Sequence, residues 1–165
     1  MIPPKQFYVH VIAPVQELLG KADARVDSLA ARRLLLGTAV DESGGLAAIA
    51  QKGGGPALSF FQIEPATYHD VVAWADKHGF GDVLAQLRVP AFSGLAQLPG
   101  NPLYACAIAR LKYFRVPEPL PAAGDLAGMG RYYKTYYNTA LGKGSAAKWE
   151  RTYRRLCMET IPDER

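Results

Sequence analysis

A single carboxylic acid stands at the end of a strongly apolar run. Glu42 lies in Ala39-Val40-Asp41-Glu42-Ser43-Gly44-Gly45 and is preceded by Leu34-Leu35-Leu36-Gly37-Thr38. Further along comes Ser59-Phe60-Phe61-Gln62-Ile63-Glu64-Pro65-Ala66-Thr67. Burial disfavours the charged form of a carboxyl group and raises its pKa. A glutamic acid held where an apolar helix meets a glycine-rich turn, with Phe60 and Phe61 able to close over it, therefore suits a general acid near neutral pH. The bland alternative is a helix-terminal glutamate in a solvated loop. The motifs that follow it favour the acid.

The elements that must hold these residues are mostly helices. Pro14 to Gly20 reads as a short helix closed by glycine. Asp23 to Glu42 reads as one helix, with Val26, Leu29, Ala30, Leu34, Gly37 and Val40 on one apolar face and Arg25, Arg32 and Arg33 mainly elsewhere. Ser43 to Pro56 is loop, because Gly44-Gly45 and Gly53-Gly54-Gly55-Pro56 cannot sustain a helix. Ala57 to Ile63 suits a short strand or extended connector in a small sheet. Pro65 opens a helix that runs to His78 and ends at Gly79. Asp82 to Arg88 is a short helix, and Pro90 to Gly100 a loop.

Asn101 caps a helix from Pro102 to about Phe114, buried on more than one side. Val116 to Gly124, with Pro117, Pro119 and Pro121, is a stiff connector. Asp125 caps a helix to about Asn138, Leu141 to Gly144 is a turn, and Ser145 caps a last helix to about Met158. The expected class is α+β, mainly α: a helical body with a small β/loop region beside a cleft. Residues 1–24 read as an N-terminal packing segment, 25–158 as the domain and 159–165 as a tail.

The bulk numbers set bounds. With 165 residues, 49% apolar and 21% charged, the chain suits one globular core. Its net charge of +4 is a mild bias toward anionic partners. Cys106 and Cys157 read as buried free thiols, and His10, His69 and His78 form no cluster, so no metal and no cofactor are expected. No stretch is long and apolar enough to span a bilayer. The segment Phe7-Tyr8-Val9-His10-Val11-Ile12-Ala13 is short, contains a histidine and is flanked by prolines, so it reads as packing rather than a secretion signal. Lys148, Arg151, Arg154 and Arg155 form a basic stripe. A solvated face on a helix that packs through Trp149, Tyr153 and Leu156 explains it, and no nucleic-acid partner is expected.

Four stretches now stand in order: Glu42-Ser43, Ser59 to Thr67, the helix opening at Asn101, and Tyr136-Tyr137-Asn138-Thr139-Ala140-Leu141-Gly142. Over about residues 25 to 155 the chain resembles the lysozyme-like superfamily, most closely the soluble lytic transglycosylase type. In that family a catalytic Glu-Ser pair ends a helix, and Gly-Leu-Met-Gln-Ile-x-Pro-x-Thr and Ala-Tyr-Asn-Ala-Gly segments follow. Here Ser59-Phe60 replaces Gly-Leu, Ile108 falls about where a cleft tyrosine is common, and Thr139-Ala140 replaces Ala-Gly. The Gly-Gly-Gly-Pro-Ala-Leu run and Tyr-Tyr-Asn-Thr-x-Leu-Gly-Lys-Gly are also similar to phage-encoded proteins of this kind.

The resemblance implies a lysozyme-like fold and a peptidoglycan-cleaving muramidase, cutting between N-acetylmuramic acid and N-acetylglucosamine with Glu42 as acid and then base. The sugar 6-hydroxyl would attack to leave a 1,6-anhydro product; a hydrolytic lysozyme would use water. Two-carboxylate glycosidases need a partner acid at about 5 Å or about 6.5–9.5 Å. Asp41 is expected to point away, Glu64 to serve the following helix's dipole and cap, and Asp70 to be exposed, so a one-carboxylate route is the better reading.

Gln62 offers an amide for sugar N-acetyl groups, or else a buried tie between sheet and helix. Tyr137 and Asn138 offer a flat face and an amide suited to a sugar cleft. Tyr132, Tyr133 and Tyr136 are crowded into the same helix and are read mainly as packing. Ser43 could bond Glu42 or sugar, or cap the helix end, and Phe61 could line the cleft floor or fill the core. The expected partners are glycan strands and, by the phage resemblance, other virion proteins. Such a chain would reside in a virion or host cytoplasm before delivery to the wall. The alternative is a non-catalytic phage structural or glycan-binding protein on the same fold.

Overall fold

The structure, a computed structural model, describes residues 1–138 and 144–162. The chain is mainly helical. Helix α1 (Pro4–Phe7), a π-helical turn (Tyr8–Ile12) and α2 (Ala13–Ala22) follow one another without a break. The helical run thus begins well before Pro14, which the sequence reading takes as a start. Proline at 14 lacks an N–H and its ring crowds the carbonyl one turn back. The backbone widens there, and the Ala13 N–H bonds to the carbonyl of Tyr8, five residues earlier. Phe7, Val11, Ile12, Val15 and Leu19 are buried and share one core with the rest of the protein.

The expected single helix from Asp23 to Glu42 is interrupted. Asp23 is extended, with φ −151°, and its carboxylate accepts from Arg25 N to cap a 3-10 turn (Ala24–Val26). Ser28 is also extended, and its hydroxyl accepts from Ala31 N to start α3 (Leu29–Glu42). Two short polar side chains offer the backbone local bonds that compete with the helix. Along α3, every residue from Leu34 to Val40 is buried, so the helix is enclosed all round rather than on one face. Gly37 faces the indole of Trp149 so closely that a methyl group in its place would overlap the ring. This lets α8 (Ala146–Leu156) lie directly on α3, and α8 also packs on α7 (Leu126–Tyr133).

The segment expected as a strand is a closed loop. Among the described residues the β structure amounts to isolated antiparallel bridges, Ala50 with Leu58 and Leu58 with Ile63. Leu58 and Ile63 exchange both backbone bonds, at 3.0 and 2.8 Å. Between them Ser59 (φ 71°) and Gln62 (φ 47°) take left-handed conformations that no extended strand tolerates.

Helix α4 (Pro65–Lys77) begins on its proline and ends at Gly79, where φ is 84° and the Phe80 N–H reaches back to Ala75 O. After α5 (Gly81–Leu87), Asn101 caps α6 (Pro102–Phe114) by accepting from Tyr104 N. The α6 residues Tyr104 to Leu111 are all buried, Ile108 completely. Asp125 and Ser145 cap α7 and α8 as expected. The run after α7 continues as a π-helix (Lys134–Asn138). Thr139, Ala140 and the predicted turn residues Leu141 to Lys143 lie outside the described residues, as do residues 163–165. Cys106 and Cys157 are free and buried. No described helix is long and apolar enough to cross a membrane.

Candidate functional site

Helix α3 ends in a turn built to stop it. Gly44 takes φ 65°, and the Gly45 N–H returns to Val40 O at 2.8 Å. The Ser43 hydroxyl donates to Ala39 O at 2.6 Å and accepts from Leu46 N at 2.8 Å. Ser43 is fully buried and both bonds are local, so of its two expected roles the structure shows the cap. Glu42, the last helical residue, is delivered to the wall of a cleft of about 910 Å³. Gln62, Lys112, Tyr133, Tyr137 and Asn138 line that cleft with it.

The Tyr133 hydroxyl donates to Glu42 Oε1 at 2.8 Å, and Asn138 Nδ2 approaches the same oxygen at 3.5 Å. Burial pushes the Glu42 carboxyl above its ordinary value. The Tyr133 and Asn138 hydrogen bonds pull it down, the Asp41 charge pushes it up, Lys112 pulls it down, and the result remains upward. Glu42 thus keeps its proton to higher pH than an exposed glutamate would, at the wall of an open cleft, and the protonated form is the one a proton donor needs.

The π-helical turn explains how Tyr133 and Asn138 meet on one oxygen. Residues five apart do not share a face of an α-helix, but the wider π turn brings them together. Tyr137, one residue earlier, donates its hydroxyl to Phe61 O at 2.8 Å and ties this turn to the 58–63 loop. Its ring is nearly buried beside Tyr113 and Tyr133, and the Lys112 ammonium lies 3.8 Å from its centroid. The expected open aromatic face is therefore mostly covered. Gln62 is half-buried; its Nε2 donates to Ser59 O at 2.8 Å while the side chain borders the cleft.

Three expectations are corrected. Phe60 and Phe61 do not close over Glu42. Both pack on Phe7, with ring centroids at 5.3 and 6.0 Å, and Phe61 has no exposed surface with which to contact a ligand. The left-handed residues on either side turn these rings into the core. Asp41 does not point away from the site. Its carboxylate is buried, 3.2 Å from the Tyr133 hydroxyl, 2.8 Å from Lys148 Nζ and 3.3 Å from Thr152 Oγ1, because α8 packs against the end of α3. Glu64 precedes α4 but makes no side-chain cap; it is exposed on the cleft rim. Asp70 is exposed as expected, and pairs with Arg115 at 2.6 Å.

Sequence reasoning missed Tyr133, Asp41, Lys112 and Lys148 as site residues. Tyr133 lies one helical turn before Tyr137, a spacing that could have marked it. Lys112 is one of two cations, with Arg110, in a helix buried on several sides, which is a signal in itself. Lys148 belongs to the basic stripe, but leans onto Asp41 instead of facing solvent alone. Among the described residues no group of three or more His, Cys, Asp or Glu side chains is placed to hold a metal ion. Comparison of the chain with known protein families, with curated proteins and with solved structures gives no match.

Proposed function

We propose that this protein cleaves peptidoglycan glycan strands as a muramidase of the lytic transglycosylase type on a lysozyme-like fold, with Glu42 as its single catalytic carboxyl. The observation that carries the reading is Glu42 itself: an acid with a raised pKa, oriented by Tyr133 and Asn138, at the wall of an open cleft. Glu42 gives its proton to the oxygen between the muramyl and glucosaminyl residues as that bond breaks. The carboxylate so formed takes the proton of the muramyl 6-hydroxyl as this oxygen closes on C1, leaving the 1,6-anhydro end and regenerating the acid. Asp41 lies close by, but Lys148 and Thr152 occupy one of its oxygens and Tyr133 approaches the other, so it serves the site from behind. Gln62 and Asn138 supply amides for the sugars' acetamido groups.

An open cleft with an acid of raised pKa favours catalysis over a purely glycan-binding or assembly module. By the phage resemblance, the activity belongs to a virion-associated or lysis protein. The test is digestion of purified peptidoglycan by the wild type and by Glu42→Gln, with the released muropeptides identified by mass spectrometry. Anhydro ends that depend on Glu42 support the reading. Reducing muramyl ends would make the protein a hydrolytic lysozyme, and no Glu42-dependent product from several wall types would overturn it.

A further inference from the structure

Lys112 sits where α6 meets the cleft, without a paired carboxylate among the described residues. Its Nζ donates to Tyr137 O at 2.8 Å and lies over the Tyr137 ring. Among the described residues no carboxylate forms an ion pair with it. The charges that act on it are those of Glu42, Arg115 and Glu64. Burial raises the Glu42 carboxyl above its ordinary value, Arg115 pairs with Asp70, and Glu64 is exposed on the rim. Desolvation pulls the ammonium down to about 8. A hydrophobic side chain of similar volume would avoid that cost. A carbonyl and a ring face use part of the ammonium's donor capacity and balance none of its charge. The side chain borders the cleft, so a ligand can reach what remains.

We propose that Lys112 is a carboxylate-binding subsite of this cleft, reading the acidic substituent of a muramyl residue. The inference rests on the glycan reading above. A polymer of N-acetylglucosamine alone is neutral. A muramyl residue carries a lactyl group, which is a free carboxylate in peptide-free strands and hands the negative charge to peptide carboxylates when it is amide-linked. Either would give Lys112 a charge-assisted hydrogen bond, stronger than a neutral one.

The test measures calorimetric affinity in the Glu42→Gln background, where turnover is blocked. The ligands are chitohexaose, amidase-stripped glycan strands and peptide-bearing soluble strands, each with Lys112, Lys112→Met and Lys112→Arg. Lys112→Met should weaken a carboxylate-bearing strand about tenfold, the scale of one charge-assisted contact, and chitohexaose by less than about threefold. Lys112→Arg should recover most of the loss. Loss confined to stripped strands assigns the lactyl carboxylate, and loss confined to peptide-bearing strands assigns the peptide. Should Lys112→Met not fold, the same difference is read from salt, which should weaken binding of the charged strands and spare chitohexaose. Equal effects on neutral and charged glycans, or none on any, overturn the subsite. Turnover is followed separately with Glu42 intact. Discrimination without turnover removes the enzymatic reading and keeps the subsite, and turnover without discrimination does the reverse.

Discussion

The Tyr133 hydroxyl stands between two consecutive carboxyls, 2.8 Å from Glu42 Oε1 and 3.2 Å from Asp41 Oδ2. A phenol has one proton, so it serves one of them at a time. Its bond to Glu42 opposes the upward push of burial. Tyr133→Phe should keep the fold, since the ring's packing beside Tyr137 and Trp149 is retained. It should lower kcat by roughly 3–10-fold, the scale of one lost hydrogen bond. Glu42 should then hold its proton to higher pH, and the basic limb of the rate profile should move up. A limb that stayed in place would show that this bond does not tune the acid.

Asp41→Asn should act in the opposite direction. The Asp41 charge raises Glu42, so a neutral amide lets Glu42 lose its proton sooner. The basic limb of kcat/KM should move to lower pH. A pH–rate comparison with the wild type reads the shift directly, and an unmoved limb would mean that Lys148 already screens the Asp41 charge from Glu42.

Glu42→Gln should stabilise the protein in a pH-dependent way. The folded pKa of Glu42 is raised, so between the unfolded value and the folded one the native state binds the proton that the unfolded state has released. In that window wild-type stability falls as pH rises, and the loss is complete above the folded pKa. The neutral amide has no such loss. Its melting temperature should match the wild type's below the ordinary carboxylate pKa and exceed it increasingly through the window. A constant difference at all pH values would contradict a raised pKa.

Gln16 is fully buried on α2, and neither its Nε2 nor its Oε1 has a hydrogen-bond partner among the described residues. An unsatisfied buried polar group costs about 1–3 kcal/mol. Gln16→Leu, of similar volume, should remove that cost and raise the melting temperature by roughly 2–4 °C per kcal/mol at this chain length. A lowered melting temperature would show that the amide is bonded after all.

What was legible in the sequence is what local chemistry decides. Pro65, Gly79, Asn101, Asp125 and Ser145 stand at helix boundaries where a missing N–H, a positive φ or a side-chain cap acts within a few residues. Ser28 acts by the same rule, but a continuous apolar pattern around it hid the break between the 3-10 turn and α3. Glu42, Gln62 and Asn138 could be placed at one cleft because they lie in recognisable stretches, with Tyr137 at its edge. Phe61 could not be assigned between floor and core, since the left-handed turn that sends it inward is invisible in a run of apolar residues. Asp41, Lys112 and Lys148 became site residues only through the packing of α6 and α8 against the end of α3, which no spacing along the chain encodes.

The wide turn over Lys134–Asn138 has a consequence for how this protein could lose or gain its chemistry. A π turn holds one residue more than the α-helical turn it replaces. Were the same residues to close to ordinary pitch, Asn138 would swing off the face it shares with Tyr133 and away from Glu42, while α7 keeps its core contacts; deleting one residue along with the wide turn would bring the asparagine back to that face, four positions from Tyr133. The extra residue and the wider pitch therefore offset each other, so related chains could gain or lose the pair together and keep the asparagine beside the acid without refolding.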